Sequence, residues 1–220
     1  MTPHGSSGPA GPGWKVAVPV LHRLLDEARQ RMRSSRSGPT PDERGAALVE
    51  FVLLLPILLL ITFGLIEYSS AYQSSSAASA AARTAARTAS AEAMLTTFAT
   101  DAATAAATSL RTLPATEPIE MWVYRANSQG LPESGGFASC AAHCIKYTWN
   151  SQTRVFNTGS PSGDGWPANT QNACNQANWD TVGVYVKLDH KFLTKLFVPS
   201  MTLTDYALFR LEPAPTQLCP

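Results

Sequence analysis

The sequence lacks every motif that would mark it as a catalyst. There is no G-x-S-x-G nucleophile elbow, no H-E-x-x-H zinc helix and no phosphate loop, because Gly159 to Gly165 lacks a following Lys and Ser or Thr. Charge is scarce too. A net charge of +1 leaves no basic excess for nucleic acid and no acidic tail. No C-x-x-C pair occurs among the four cysteines, so a zinc site using His143 or His190 is disfavoured, and no metal or cofactor is expected. Glycine and proline are missing from Ser69 to Leu113, which removes the usual interruptions of a helix there. The 220 residues must also supply a leader, a span and a stalk, leaving room for one domain of modest size.

Against those absences stands Arg44-Gly45-Ala46-Ala47-Leu48-Val49-Glu50-Phe51, running into an apolar block from Val52 to Ile66. As a helix rising about 1.5 Å per residue, Ala46 to Tyr68 reaches roughly 34 Å, enough to cross a hydrocarbon core. Glu50 is a carboxylate near the start of that greasy run, where an unpaired charge is costly and usually functional. It needs a partner. A cut after Gly45 would supply one, since it frees a cationic α-amino group on Ala46, about one helical turn from Glu50 in the same chain or a neighbour. Gly45 suits a cut because a residue without Cβ lets the backbone lie extended in a protease cleft. Arg44, with Arg36, Arg33 and Arg31 behind it, places this end on the cytoplasmic face.

Gly45, the four residues after it, Glu50-Phe51 and the apolar block with Pro56 resemble the TadE-like pilus assembly proteins of tight-adherence (Tad, Flp) systems, relatives of type IV pilins. The resemblance covers mainly Arg44 to Tyr72, and Val182 to Pro213 is more loosely similar to TadE-like C-terminal regions. It implies that a prepilin peptidase cuts between Gly45 and Ala46, and that Glu50 and Phe51 serve docking during assembly. The implied partners are that peptidase, other pilins or pseudopilins, the Tad inner-membrane machinery and the lipid bilayer. The chain departs from the pattern in two ways. A leader ending at Gly45 is long for a prepilin, and Met32 offers an alternative start with a short basic leader. The mature chain is longer than a major Flp pilin, which favours a minor pilin or pseudopilin.

Residues 1–45 read as a disordered basic leader rich in Gly, Pro, Ser and Arg, with a short helix at Leu21 to Met32. Residues 46–68 form the transmembrane helix. An ordinary signal peptide cleaved near Ser69-Ser70-Ala71 fits poorly with the long leader and with Glu50. Glu67, Tyr68 and Tyr72 make an interfacial collar. Residues 69–113 read as an Ala-rich helical stalk continuing the span. Its half before Met94 has small side chains suited to packing on other helices, and Met94, Leu95, Phe98, Ala102, Ala106 and Leu110 trace a stripe able to face a sheet. Residues 114–220 read as a β-rich extracytoplasmic domain with strands at Ile119–Tyr124, Ile145–Trp149, Thr181–Leu188 and Leu203–Leu211, and a short helix at Lys191–Phe197. The expected fold class is α+β: a long transmembrane and stalk helix packed on a small antiparallel sheet, as in pilins.

Cys140, Cys144, Cys174 and Cys219 all fall beyond the span, in what should be an oxidising space, and are disulfide candidates with three possible pairings. Cys140 or Cys144 with Cys174 would pin the long loop Asn150–Asp180, and Cys219 would tie the tail. Trp166 and Trp179 in that loop read as covers for the sheet, with a carbohydrate or surface-binding platform as the alternative. His190 beside Asp189 reads as a strand-end polar pair, and His143 as a loop residue beside a disulfide. The expected protein is not an enzyme. It is an inner-membrane, single-pass minor pilin with its C-terminal domain outside, at the pilus or cell surface. The alternative is an uncleaved, membrane-tethered adhesion protein.

Overall fold

The structure, a computed structural model, describes residues 41–111, 113, 115–158, 165–195 and 198–219. The leader before Pro41, with its helix at Leu21–Met32, lies outside the described residues. Contacts divide the chain into two units, 1–60 and 61–220. The described part of the first is helix. The second is an α+β domain.

Helix α1 is continuous over Pro41–Ala91, with Pro41 at its first position, where a missing N–H costs nothing, and Pro56 inside it. Helix α2 spans Phe98–Leu110. Five antiparallel strands follow: β1 (Thr116–Arg125), β2 (Cys144–Asn150), β3 (Val155–Thr158), β4 (Thr181–Lys191) and β5 (Ser200–Arg210), in the order β3-β2-β1-β4-β5. All four expected strands are present, each within a few residues of the sequence reading. β1 begins three residues earlier and accommodates Pro118 by a register shift between Pro118 and Glu120, where a residue without an N–H can sit in a sheet.

Where the sequence predicts one helix to Leu113, the chain breaks after Ala91. Met94 takes a positive φ of 64° there, and its N–H donates to the Gln171 side-chain oxygen at 2.7 Å. A side chain 77 residues away thus supplies the partner that helix continuation would have supplied. The small face of α1 packs inside the domain, against α2 and the sheet. Ala78, Ala81, Ala82, Ala85, Ala86 and Ala89 are buried in one cluster with α2 and with Met121, Val123, Val182, Val184, Val186 and Leu188 of the sheet. Alanine lets the helix approach its own sheet closely, and those faces are used up within the domain. On α2, Phe98, Ala102, Ala106 and Leu110 are buried as expected, whereas Leu95 is exposed in the break.

The alternation of β1 and β4 fills both sides of the sheet. Met121, Val123 and the even-numbered residues Val182 to Leu188 face the helices. Trp122, Tyr124 and Tyr185 pack on the opposite face with Cys140 and Cys144, against Phe137, whose ring stacks on Tyr185 at 4.5 Å. No helix forms at Lys191–Phe197 among the described residues. β4 runs through Lys191, pairs with Ser200, and the turn between contains Lys195 at φ 51°.

Glu92, at the end of α1, is a local liability. Burial, and then Asp101 beside it, pushes its carboxyl above the usual carboxylate range, and its Oε2 is buried without a hydrogen-bond partner among the described residues. A raised folded pKa means the native state holds the proton more tightly than the unfolded chain. This contribution is therefore fully present below the ordinary glutamate value and is lost as pH rises through the folded value. Glu92→Gln is expected to raise the thermal midpoint at neutral pH and to have little effect in acid. An equal effect at both pH values would show that the carboxylate charge is not the cause.

Candidate functional site

The first half of α1 carries the candidate assembly residues. Gly45, Ala46, Glu50 and Phe51 all lie within the helix and are exposed. Ala46 and Glu50 are four residues apart, so they share a face, one turn above the other. Glu50 has no hydrogen bond or ion pair among the described residues, and Phe51 is 57% exposed. A Cβ added to Gly45 would meet nothing within 4 Å. Among the described residues, neither backbone conformation nor packing calls for glycine there. The helix passes straight through the Gly45–Ala46 bond, so a protease needing an extended strand must first unwind the helix N-terminus, the turn most easily frayed.

From Leu48 to Ile66 the large apolar side chains stay in the open. The span has a mean hydropathy of 2.7 and its most apolar window is 0% buried. An apolar surface that complete suits lipid.

At the other end of the span the structure assembles contacts that the sequence did not announce. Glu67 Oε1 accepts the Thr194 N–H at 2.6 Å and the Thr194 hydroxyl at 2.7 Å. Two turns further along α1, Ser74 Oγ lies 2.7 Å from Thr116 Oγ1 and 3.0 Å from His190 Nδ1, and Thr116 Oγ1 is also 3.0 Å from that nitrogen. His190 therefore does not pair with its neighbour Asp189. Consecutive strand residues point to opposite faces, and His190 turns inward, 1% exposed, to join α1 to the ends of β1 and β4. The only advance signal was a lone carboxylate at the end of the apolar block and a histidine at an inward strand position.

The cysteines pair as Cys140–Cys144 and Cys174–Cys219. The long loop is thus tied to the tail, not to Cys140 or Cys144. His143 sits in the turn beside the first bridge, with Nδ1 2.6 Å from Glu133 Oε2. Trp166 is buried edge-to-face on Phe98 at 5.7 Å, and the Trp179 ring lies under the Arg210 guanidinium at 5.1 Å. Trp166 is part of the core, as the covering role expects.

Among the described residues one helix is long and apolar enough to cross a membrane, and with the disulfide-bridged α+β domain beyond it the chain has the make-up of a single-pass membrane protein. Residues 45–87 match the family described as TadE-like protein. The match is to a TadE-like domain and takes in the span and the following helix as far as Arg87, beyond Tyr72. No curated protein and no solved structure matches the chain.

Proposed function

We propose that this protein is a minor pilin or pseudopilin of a Tad-type pilus, cut by a prepilin peptidase between Gly45 and Ala46. Supporting the reading is Glu50, a carboxylate with no partner among the described residues, on an apolar helix that matches the TadE-like family. Removal of the leader turns the Ala46 nitrogen into a cation on the same helical face. In the low-dielectric bilayer, that cation and Glu50 attract strongly, within one chain or between neighbours one step apart. A subunit whose Glu50 is already neutralised by its own terminus docks with less specificity than one that needs a neighbour's. The charge pair thus sets register as the subunit leaves the membrane. The inward-facing end is the one with the arginines, and the disulfides belong on the oxidising side. The partners are other pilins, the assembly machinery and the peptidase. The protein is not an enzyme: Gly45 and Glu50 are places where other proteins act.

One observation favours an uncleaved, tethered adhesion protein instead, namely that α1 starts at Pro41 and crosses the scissile bond without interruption. N-terminal sequencing of protein recovered from membranes separates the two. A start at Ala46 supports processing, and an intact leader supports the tether. Gly45→Leu is expected to leave membrane insertion and both disulfides intact, since the new side chain has open space, while abolishing the shortened form. Glu50→Ala is expected to insert and be processed but to lose assembly into pili; normal piliation in that strain would remove the role given to Glu50.

A further inference from the structure

The apolar run from Ala46 to Ile66 covers about 32 Å at about 1.5 Å per residue, close to the thickness of a hydrocarbon core. Glu67 therefore stands where the helix leaves the lipid. Its carboxylate takes both the N–H and the hydroxyl of Thr194, at 2.6 Å and 2.7 Å. Thr194 lies in the turn joining β4 to β5, so that turn is held within one side chain's length of the interface.

What the turn presents is not what a turn in water should present. Leu193 is 77% exposed and Val198 53%, and Met201, beside the turn in β5, is 42% exposed. Between the helix and the turn, a cavity of about 300 Å³ is lined by Gly64, Tyr68, Ala71, Phe192, Val198 and Met201, with Glu67 at its edge. Lys195 is exposed beside these apolar groups, and Lys191, also exposed, pairs with Glu117 at 3.2 Å. Leucine, valine and methionine with flanking lysines and a neighbouring tyrosine make up the composition of segments that lie in a membrane interface. Their apolar parts enter the acyl boundary while the ammonium groups reach the phosphates.

We infer that the β4–β5 turn is a second membrane contact, seated at the headgroup–acyl boundary of the bilayer that α1 crosses. The occupant of the apolar patch is lipid because the patch is continuous with the apolar helix surface of the span, and because the exposed Lys195 ammonium beside it can reach an anionic headgroup. The domain is then held at two points. Its rotation about the helix axis is restricted, which fixes the direction that the β5 edge and the aromatic face present to a partner. This attachment does not depend on whether the leader is removed.

The test uses the full chain in vesicles of phosphatidylcholine and phosphatidylglycerol. Spin labels are placed at Leu193→Cys, at Val198→Cys and, as a water-facing control, at Gln129→Cys in the loop at the far end of the sheet. The native cysteines are bridged and do not react. Collisions with oxygen report lipid, and collisions with a water-soluble nickel chelate report solvent. The oxygen-to-nickel ratio is expected to be several-fold higher at 193 and at 198 than at 129. Nickel accessibility at 193 and 198 equal to that at 129 would overturn the contact with lipid. Loss of both kinds of collision there would overturn it as well, by showing that protein covers the turn; if dilution in lipid restored them, that protein would be a second copy.

Discussion

Replacing Cys174 and Cys219 together by Ser is expected to lower the unfolding free energy of the domain by about 4 kcal/mol, the chain-entropy value for a 45-residue separation. Opening the Cys140–Cys144 bridge, with a separation of 4, should cost about 2 kcal/mol on the same basis. The contrast rests on what each bridge holds. Cys174 sits where the loop meets the break between α1 and α2, its sulfur 3.6 Å from Met94 Sδ. Around it, Gln171 takes the Met94 N–H, the Ala214 N–H donates to the Ala173 carbonyl at 3.1 Å, and the Glu212 N–H donates to the Ser90 carbonyl at 3.0 Å. Loop, tail and helix break are thus one cooperative patch with the bridge across it. Without the bridge, the tail is held to the domain by a few hydrogen bonds, which open locally more easily than a core does. Denaturant melts of the oxidised protein and the Cys174→Ser/Cys219→Ser variant measure the difference. A loss under about 1 kcal/mol would mean that the hydrogen bonds alone hold the patch.

That patch also shows where sequence reading stops. The strands were legible because Val182, Val184 and Val186 recur at every second position, the period of a strand with one apolar face on a core. Glu50 stands out in the sequence because a charge among Leu, Ile and Phe is costly in an apolar span, and the role given to it is the proposal above. β3 was not legible: Val155–Thr158 is four residues with no alternation to read. The break after Ala91 had no local signal, since the segment holds no Gly or Pro and Met94 is an ordinary residue in a left-handed conformation. Its cause is tertiary, in Gln171 and in the Ser90 hydroxyl, which donates to the Arg210 carbonyl at 2.7 Å. The same holds for the Glu67–Thr194 contact, 127 residues apart in the chain. Small side chains on α1 were legible as a packing face, but composition alone did not say whether another helix or the chain's own sheet would fill it.

Gly183→Ala is expected to cost about 3 kcal/mol, against the small gain that Gly→Ala gives where the backbone is free to accept it. Gly183 pairs with Tyr124 across β4 and β1, and its missing side chain is the floor on which the Tyr124 ring lies. A Cβ there would stand 2.6 Å from the Tyr124 hydroxyl oxygen and nearer still to two ring carbons, so the ring must leave. It has nowhere to go. Tyr124 is fully buried, its hydroxyl donates to the Gly130 carbonyl at 3.1 Å, and its ring meets Phe137 edge-on at 5.9 Å. Gly130 is itself constrained, with φ at 81° and the Leu208 side chain where its Cβ would be. Displacing the ring therefore strips a buried hydrogen bond and disturbs the aromatic layer that covers the sheet opposite the helices. The double variant Tyr124→Ala/Gly183→Ala separates this cause from a general weakening of β4. If overlap with the ring is the cause, adding Gly183→Ala to a chain already lacking that ring should cost almost nothing, because the clash is gone. A full cost in the double variant would place the fault in the strand backbone instead.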